Sequence, residues 1–377
     1  MSKFTITAPR AIWLSILTAA HKITAAGKPV PVFGCVRLAS TTDGRVSWAA
    51  TDGDCWRLGS VPADTEGLRV SGDGAALVPV AAALPVLKSL SEGAIALEWA
   101  ENGHLQIQAG KFRGQLPTFP IADFPLLPAG DLIGPATIPA AVLVRLIHHA
   151  LPCVHQTSAQ TWMKGIRIDR QADSISCTAA DGHKLAYLRE PLAIDSPDTF
   201  TGEILPWRPL ADMRAMLEGA DTVVYARDEF ERHWFTVGAD SLVLRGIQAQ
   251  FPDVLRVIPA RPKVTIEADR LQLLGLVRRL GLLADANRSL RLQVEHGQLV
   301  GRASSGERGQ GEDAIPVSHT GPALAFAISH EYLTDLLEAY DSPSVQLEAV
   351  DELAPIAIRP TGDTPSGAVY AVALMRI

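Results

Sequence analysis

Hydrophobic residues near the start of the chain recur at the spacing of an amphipathic helix. Ile12, Ile16 and Ala20 lie four residues apart, and Pro9 precedes them where a first helical turn tolerates proline. The segments AAVLVRLIHHAL and RLQLLGLVRRLGLL repeat this pattern further along the chain. We predict that each of the three segments opens a unit of the chain as a helix.

Segments of alternating polar and apolar residues follow each of these helices and predict antiparallel strands. They read VFGCVRLAS and RVSWAATDGDCWRLGSV, then MKGIRIDR and SISCTAADGHKLAYLRE, then LRLQVEH and QLVGRASSGERGQGEDAIPV. Within the last of these, GERGQGED is interpreted as a hairpin loop. A second helical pattern comes near residues 80–90, 208–217 and 329–340, with more strands after it. This order predicts an α+β fold of three tandem similar domains, each with two helices packed on antiparallel sheet.

Short motifs repeat with the same period. Asp52-Gly53 recurs as Asp181-Gly182, and Phe124-Pro125 recurs as Phe251-Pro252. The proline-rich stretches PLLPAGDLIGP and VIPARPKV predict linkers between the repeats. We therefore place the three domains at residues 1–130, 131–259 and 260–377.

Composition narrows the class of protein. The 377 residues are 47% hydrophobic and 20% charged, with a net charge of −7, so the chain as a whole is not basic. The four cysteines show no CxxC spacing and are expected to fill the core as reduced thiols. The amino terminus lacks the apolar run of a signal peptide, and no segment is long and apolar enough to span a bilayer. We expect a soluble, cytoplasmic protein without cofactors or bound metal.

Positive charge is concentrated on the predicted helices. Five of the six carry basic residues, against three acidic ones. If these helices share one surface, that surface attracts phosphates; the alternative is that each helix turns an ordinary solvated face outward. The basic residues are Arg10, Lys22, Lys88, Arg145, Arg208, Arg214, Arg270, Arg278 and Arg279. The sixth helix, HEYLTDLLEAY, has Glu331, Asp335 and Glu338 and no basic residue, so little DNA contact is expected from it.

Several ordered segments resemble the beta sliding clamps of bacterial replicative DNA polymerases. They are TAADGHKLAYLRE, FRGQLPTFPIADFPLL, MKGIRI, FPDVLRVIP and the terminal YAVALMRI, and together they cover all three repeats. The resemblance implies a ring of two head-to-tail subunits that encircles duplex DNA without reading its sequence. It also implies that the protein is not an enzyme.

The resemblance further implies a pocket between the second and third domains, which takes a short partner peptide of the Gln, Leu, Phe type. The pocket positions are Met163, Ala180, Gly182, His183, Lys184, Leu185, Pro252, Arg256, Val257, Tyr332, Pro355, Val372, Ala373, Leu374, Met375 and Arg376. DNA contacts are implied for Lys28, Gln156, Trp162 and Arg208. The implied partners are the replicative polymerase, a clamp loader, other polymerases and repair proteins, and a second copy of the chain, with no membrane partner.

The chain departs from the family pattern at a few positions. Lys184 stands where arginine is usual, Ala180 where threonine is common, Leu374 where proline is common, and Gly114 where an apolar interface residue is frequent. A specialised clamp paralogue, of plasmid, phage or inhibitor-resistance type, and a scaffold that does not encircle DNA therefore remain as alternatives.

Catalysis and metal binding find little support in the motifs. Asp181 and His183 lack an accompanying nucleophile signature, and His148, His149 and His155 lack the spacing of a metal site. The carboxy-terminal YAVALMRI, taken alone, is typical of an ordinary edge strand.

Overall fold

The computed structural model describes residues 4–24, 30–41, 43–99, 103–196, 198–361 and 367–375. Two compact units make up the chain. Unit 1 comprises Met1–Ala140 and Asp212–Gly246, and unit 2 comprises Ala141–Ala211 and Ile247–Ile377.

The order strand, helix, strands, helix and three strands occurs three times along the chain, with five strands between the helices of the first and third repeats and four in the second. The first repeat contains β1 Phe4–Pro9, α1 Arg10–Thr24, β2 Cys35–Ser40, β3 Val46–Thr51, β4 Cys55–Val61, β5 Arg69–Ser71, β6 Gly74–Pro79, α2 Val80–Ser89, β7 Ala94–Trp99, β8 His104–Ala109 and β9 Phe112–Pro117. The second contains β10 Leu132–Pro139, α3 Ala140–Ala150, β11 Gly165–Arg170, β12 Ser174–Ala180, β13 Lys184–Pro191, β14 Phe200–Pro206, α4 Trp207–Leu217, β15 Thr222–Asp228, β16 Arg232–Val237 and β17 Asp240–Arg245. The third contains β18 Val264–Asp269, α5 Arg270–Gly281, β19 Ser289–Glu295, β20 Gln298–Ser305, β21 Gly309–Pro316, β22 Ser318–Thr320, β23 Leu324–Ser329, α6 His330–Glu338, β24 Ser344–Ala349, β25 Ile356–Pro360 and β26 Val369–Val372.

The predicted α+β class and the three pairs of helices are confirmed. One feature differs: each repeat opens with a strand, β1, β10 or β18, and not with the helix. These strands alternate more buried with less buried residues, as in FTITAP, where buried and half-buried residues alternate, and this period of two could have been detected in the sequence. The predicted loop GERGQGED is also mostly strand, because β21 begins at Gly309 and pairs along its whole length with β20.

The strands form four antiparallel sheets, two in each unit. Unit 1 has a five-stranded sheet, in the order β5-β1-β7-β8-β9, and an eight-stranded sheet, in the order β10-β15-β16-β17-β4-β3-β2-β6. Unit 2 has a nine-stranded sheet, in the order β14-β11-β12-β13-β26-β25-β24-β18-β22, and a four-stranded sheet, in the order β21-β20-β19-β23. Each of the two larger sheets joins strands of two successive repeats, and the division into three domains stays a prediction.

Helices cover the sheets through apolar faces. In unit 1, Trp13 and Leu17 of α1 and Leu87 of α2 are buried with Ile6 and Ile95 of the five-stranded sheet. The indole of Trp13 also donates to the Ile95 carbonyl oxygen at 3.0 Å. Burial of apolar area on this scale is the main stabilising contribution in a domain of this kind.

The four cysteines are free and buried, as the sequence predicts. Burial raises the pKa of the Cys35 and Cys177 thiols to about 12, which makes them inert as nucleophiles or ligands near neutral pH. No helix in the described part of the chain combines the length and apolar character needed to cross a membrane.

Candidate functional site

A tight turn between β12 and β13 begins the candidate site in unit 2. The Asp181 carboxylate accepts hydrogen bonds from the backbone N–H groups of His183 at 2.8 Å and Lys184 at 2.6 Å. Gly182 follows with φ +93°, a conformation that favours glycine. The Asp-Gly pair therefore fixes where His183, Lys184 and Leu185 enter the next strand.

Beside this turn lies a mainly apolar cavity of about 140 Å³. The second repeat supplies most of its wall, and the third repeat closes it. The lining residues are Trp162, Ala180, Gly182, His183, Lys184, Leu185, Val254, Val257, Pro355, Ala371 and Ala373. Eight of the residues implied by the family resemblance thus meet around one cavity.

Trp162, Val254 and Ala371 also line the cavity, and none was predicted there. Trp162 was implied as a DNA contact, but its ring packs edge-on against Phe251, with centroids 5.2 Å apart. Val254 belongs to the segment FPDVLRVIP, whose other side faces a polar groove of about 470 Å³ that is lined in part by Leu255. Ala371 of β26 and Ala373, one residue beyond its end, are two residues apart, and this spacing could have indicated their shared face.

Aromatic and charged groups pack together at one side of the cavity. His183 stacks on Tyr332 from α6, with centroids 5.5 Å apart and an interplanar angle of 20°. The Lys184 ammonium lies 5.3 Å from the same tyrosine ring and donates to the Asp335 carboxylate at 2.7 Å. Tyr332 is therefore held by two residues of the opposite wall.

The remaining predicted pocket residues lie around the cavity without lining it. Met163 covers Gly182, with its Cε atom 3.6 Å from the position that a Cβ would occupy there. Val372 is buried on the opposite face of β26 from Ala371. Met375 donates its backbone N–H to the Ala327 carbonyl at 2.8 Å. Pro252 lines the neighbouring polar groove.

Leu374 is half-buried and Arg256 is exposed. Arg376 lies outside the described residues.

The carboxy-terminal strand is an interior strand, which corrects the interpretation of YAVALMRI as an edge. β26 pairs with β25 of its own repeat and with β13 of the second repeat. Lys184 stands opposite Val372, and Leu185 stands opposite Ala371. This pairing brings the two walls of the cavity together.

Two of the nine predicted helical cations have structural roles. Arg10 hydrogen-bonds the Leu87 and Lys88 carbonyl oxygens at the end of α2, at 2.9 and 2.8 Å. Arg270 does the same for Leu337 at the end of α6, at 3.2 Å. Cations are stabilising at helix carboxyl ends, so these two arginines connect the paired helices of the first and third repeats.

Other helical cations form ion pairs. Arg145 pairs with Glu190, Arg278 with Glu338 and Arg279 with Asp313, each at 2.6 Å. Four have no ion pair within the described ranges: Lys22, Lys88, Arg208 and Arg214. The last three of these are exposed.

The implied DNA contacts have different surroundings. Arg208 is exposed in the first turn of α4, and Gln156 is exposed in a turn after α3. Lys28 lies outside the described residues. The assignment of these residues and of Trp162 to DNA stays a prediction.

The histidines offer no metal site in the part of the chain that the structure describes. His149 is buried, and its Nδ1 lies 2.7 Å from the Tyr370 hydroxyl. Burial, with the nearby His148 and Arg145 charges, lowers the pKa of His149 to about 4, while Asp341 opposes the shift. This imidazole is neutral near pH 7 and has a structural role.

Two family models match the chain. The N-terminal domain of the DNA polymerase III beta subunit matches residues 3–128, and the C-terminal domain matches residues 255–373. The chain belongs to this family. Such proteins are processivity factors and not enzymes, and the family is associated with DNA and a polymerase.

Curated relatives match over nearly the whole chain. The beta sliding clamp of Escherichia coli is 25% identical over 353 residues, covering 93% of this chain and 94% of the relative. The beta sliding clamp of Caulobacter vibrioides is 24% identical over 360 residues, covering 94% and 95%.

Solved structures show the same fold. The beta chain of DNA polymerase III from Streptococcus pneumoniae aligns with a TM-score of 0.92 at 20% identity, covering 100% of both chains. The sliding clamp of Pseudomonas aeruginosa bound to griselimycin aligns with a TM-score of 0.91 at 23% identity, also covering 100% of both chains. The fold is thus retained at low sequence identity.

Proposed function

We propose that this chain is a DNA sliding clamp that docks partner peptides in the cavity of unit 2. Two copies would close head to tail around duplex DNA in the cytoplasm and tether the replicative polymerase and other proteins with a clamp-binding motif. The observation that carries this proposal is the apolar cavity where β13 and β26 pair.

The size of the cavity limits what it can hold. A cavity of about 150 Å³ accommodates a benzene-sized group, so this one suits a single Leu or Phe side chain. Burying such a side chain contributes roughly 1.5 to 3 kcal/mol. A second apolar residue of the peptide would pack outside the cavity near His183 and Tyr332. Two such anchors would contribute roughly 3 to 6 kcal/mol together, so micromolar affinity also needs polar contacts with the peptide.

Two edge strands support the head-to-tail dimer. β9 lies at the edge of the five-stranded sheet and β21 at the edge of the four-stranded sheet, so both offer unpaired backbone groups. Arg113 lies on β9, while Glu312 and Asp313 lie on β21. Pairing of two different edges between identical chains is heterologous and can close into a ring.

β9 has an apolar surface although position 114 is a glycine. A Cβ added there would lie 2.9 Å from the ring of Phe112, so that ring covers the glycine. Phe112 is itself exposed on the same strand. We propose that Phe112 supplies the apolar contact that a side chain at position 114 would otherwise make.

The peptide test compares two substitutions in the same short turn. Val257 lines the cavity and Leu255 lines the adjacent polar groove, and the two are almost equally exposed, at 39% and 40%. We expect Val257→Glu to weaken binding of a labelled Gln-Leu-Phe type peptide at least tenfold in fluorescence anisotropy, since docking of the peptide would bury the added charge. Leu255→Glu should bind within twofold of wild type. Equal losses in both variants would contradict this cavity as the docking site.

Closure of the ring around DNA is tested by comparing circular DNA with DNA that has been cut. After loading by a clamp loader, the protein should remain on nicked circular DNA through gel filtration and be lost when the circle is cut. Mass photometry should show twice the mass of one chain. A stable monomer, or equal retention on linear DNA, would favour the non-encircling scaffold.

A further inference from the structure

The acidic helix α6 forms three ion pairs. Glu331 pairs with Arg288, Glu338 pairs with Arg278 at 2.6 Å, and Asp335 pairs with Lys184 at 2.7 Å. Arg278 and Arg288 belong to the same repeat as α6, whereas Lys184 belongs to the second repeat. Asp335 is therefore the acidic residue of α6 that reaches the wall of the docking cavity.

Lys184 has unused hydrogen-bonding capacity beside that cavity. Its side chain is only 7% exposed, and it lines the cavity together with Leu185 and Ala373. The ammonium has three donors, and within the described residues Asp335 is its one hydrogen-bond acceptor. The nearer Asp181 oxygen lies at 3.9 Å, beyond hydrogen-bond distance.

Structural stability alone gives little reason for a cation at this place. Burying the Lys184 ammonium is costly, and its pairing with Asp335 offsets little of that cost because the Asp335 side chain is 48% exposed. A donor held at an apolar wall forms strong hydrogen bonds because the local dielectric constant is low. The position therefore suits a group that meets a ligand.

We propose that Lys184 is a specificity-determining residue of the cavity and that Asp335 is the positioning residue that directs it. Asp335 accepts one ammonium hydrogen, and the others donate to a carbonyl or carboxylate oxygen of the docked peptide. Lysine presents a compact charge with rotatable donors, where arginine presents a planar fork. The inference rests on the proposed docking function and adds the chemistry of the ligand group: an oxygen acceptor next to the apolar anchor.

The test measures peptide affinity in four variants of the full-length protein. With the Gln-Leu-Phe type peptide, Lys184→Met should bind roughly tenfold more weakly, as expected for a lost charge-assisted hydrogen bond. Asp335→Asn should lose roughly three- to fivefold, because Lys184 remains but is no longer directed. Adding Asp335→Asn to Lys184→Met should cause no further loss. Lys184→Arg should restore binding to within about threefold of wild type, because the cation is kept.

A matched control lies one turn further along α6. Glu338→Gln removes the ion pair with Arg278, which does not reach the cavity, and should leave peptide affinity unchanged. As a spectroscopic readout, Asp335→Asn should shift the NMR signals of the His183 ring before peptide is added. Asp335 holds the Lys184 ammonium beside the Tyr332 ring, and His183 stacks on the same ring. Glu338→Gln should not shift them.

The outcomes separate the inference from the function. If wild type binds the peptide and Lys184→Met binds equally well, the role of Lys184 is wrong while the docking function stands. If Asp335→Asn still weakens binding in the Lys184→Met background, Asp335 does not act through Lys184. If wild type binds no peptide at all, the docking function fails, and this inference fails with it.

Discussion

Each unit has an Asp-Gly turn next to a pair of strands, β4 with β17 in unit 1 and β13 with β26 in unit 2. We call the space beside this turn and strand pair the corner, and different side chains lie there in the two units. In unit 1 the Asp52 carboxylate accepts from the N–H of Cys55 at 2.8 Å, as Asp181 does from Lys184 in unit 2. Trp56 then stands opposite Val243, and Leu185 stands opposite Ala371. Trp56 packs edge-on against Phe124, with centroids 6.0 Å apart, in an apolar cluster.

The contrast shows that side-chain volume decides which corner keeps a cavity. The two units share the Asp-Gly turn, the register of the paired strands and the Phe-Pro segment that follows. A tryptophan on β4 occupies the corner in unit 1, whereas leucine on β13 and alanine on β26 leave a cavity in unit 2. The tryptophan at the corner of unit 2 comes from a different position, Trp162, and lines the cavity wall.

A second contrast lies on the far side of the paired strands. Leu242 precedes Val243 in β17, while Tyr370 precedes Ala371 in β26. Leu242 is buried and apolar, but the Tyr370 hydroxyl contacts the buried His149. Unit 2 therefore supports the strand beside its cavity with a polar, titratable pair.

The largest expected effect is on the stability of the protein when Trp56, which fills the corner of unit 1, is removed. Trp56→Ala should lower the free energy of unfolding by about 3 to 5 kcal/mol, because a large buried side chain is removed. Urea denaturation followed by circular dichroism measures this change. Trp162→Ala, which removes a half-buried ring in unit 2, should cost clearly less. A loss below 1 kcal/mol for Trp56→Ala would mean that the corner of unit 1 is not filled as described.

The polar support in unit 2 predicts sensitivity to acid. His149 has a pKa of about 4 in the folded protein and about 6.5 when unfolded, so the unfolded chain protonates first as pH falls. Stability should be complete above pH 6.5 and decline by roughly 3 kcal/mol as the pH falls to about 4. His149→Gln should flatten that part of the profile, and the exposed His155→Gln should not. An unchanged slope in His149→Gln would assign the acid response to other groups.

Filling the open corner should make unit 2 resemble unit 1. Leu185→Trp should weaken peptide binding about a hundredfold, since the apolar anchor of the peptide loses its site. Unit 1 accepts tryptophan at the equivalent register, so the variant should still fold as judged by circular dichroism. Leu127→Trp, at an exposed position of unit 1, is the control and should bind normally. Unchanged affinity in Leu185→Trp would place docking elsewhere.

The smallest expected effect compares helical cations with strand cations. Arg208→Ala should reduce DNA affinity modestly at low salt and lower the slope of log affinity against log salt by about 1. Arg302 lies on β20 and pairs with Glu312, so Arg302→Ala should leave that slope unchanged. Equal effects would indicate diffuse attraction and not a helix-lined DNA surface.

Much of the architecture follows from local sequence. The bounds of α2 and α6 lie within two residues of the predicted ends, because proline, turn residues and helical periodicity are local signals. The Asp-Gly repeat correctly indicated equivalent turns. The opening strands β1, β10 and β18 were missed although their alternation was present, because the adjacent helical pattern was stronger.

The sequence by itself determined the threefold repeat, the α+β class and the residues of the turn that begins the candidate site. Only the tertiary structure decided that Trp56 closes one corner, that β26 is an interior strand, and that Arg10 and Arg270 hold helix ends. The physical reason is range: periodicity and turn chemistry act between neighbours, whereas cavities, ion pairs and sheet edges depend on which distant strands meet.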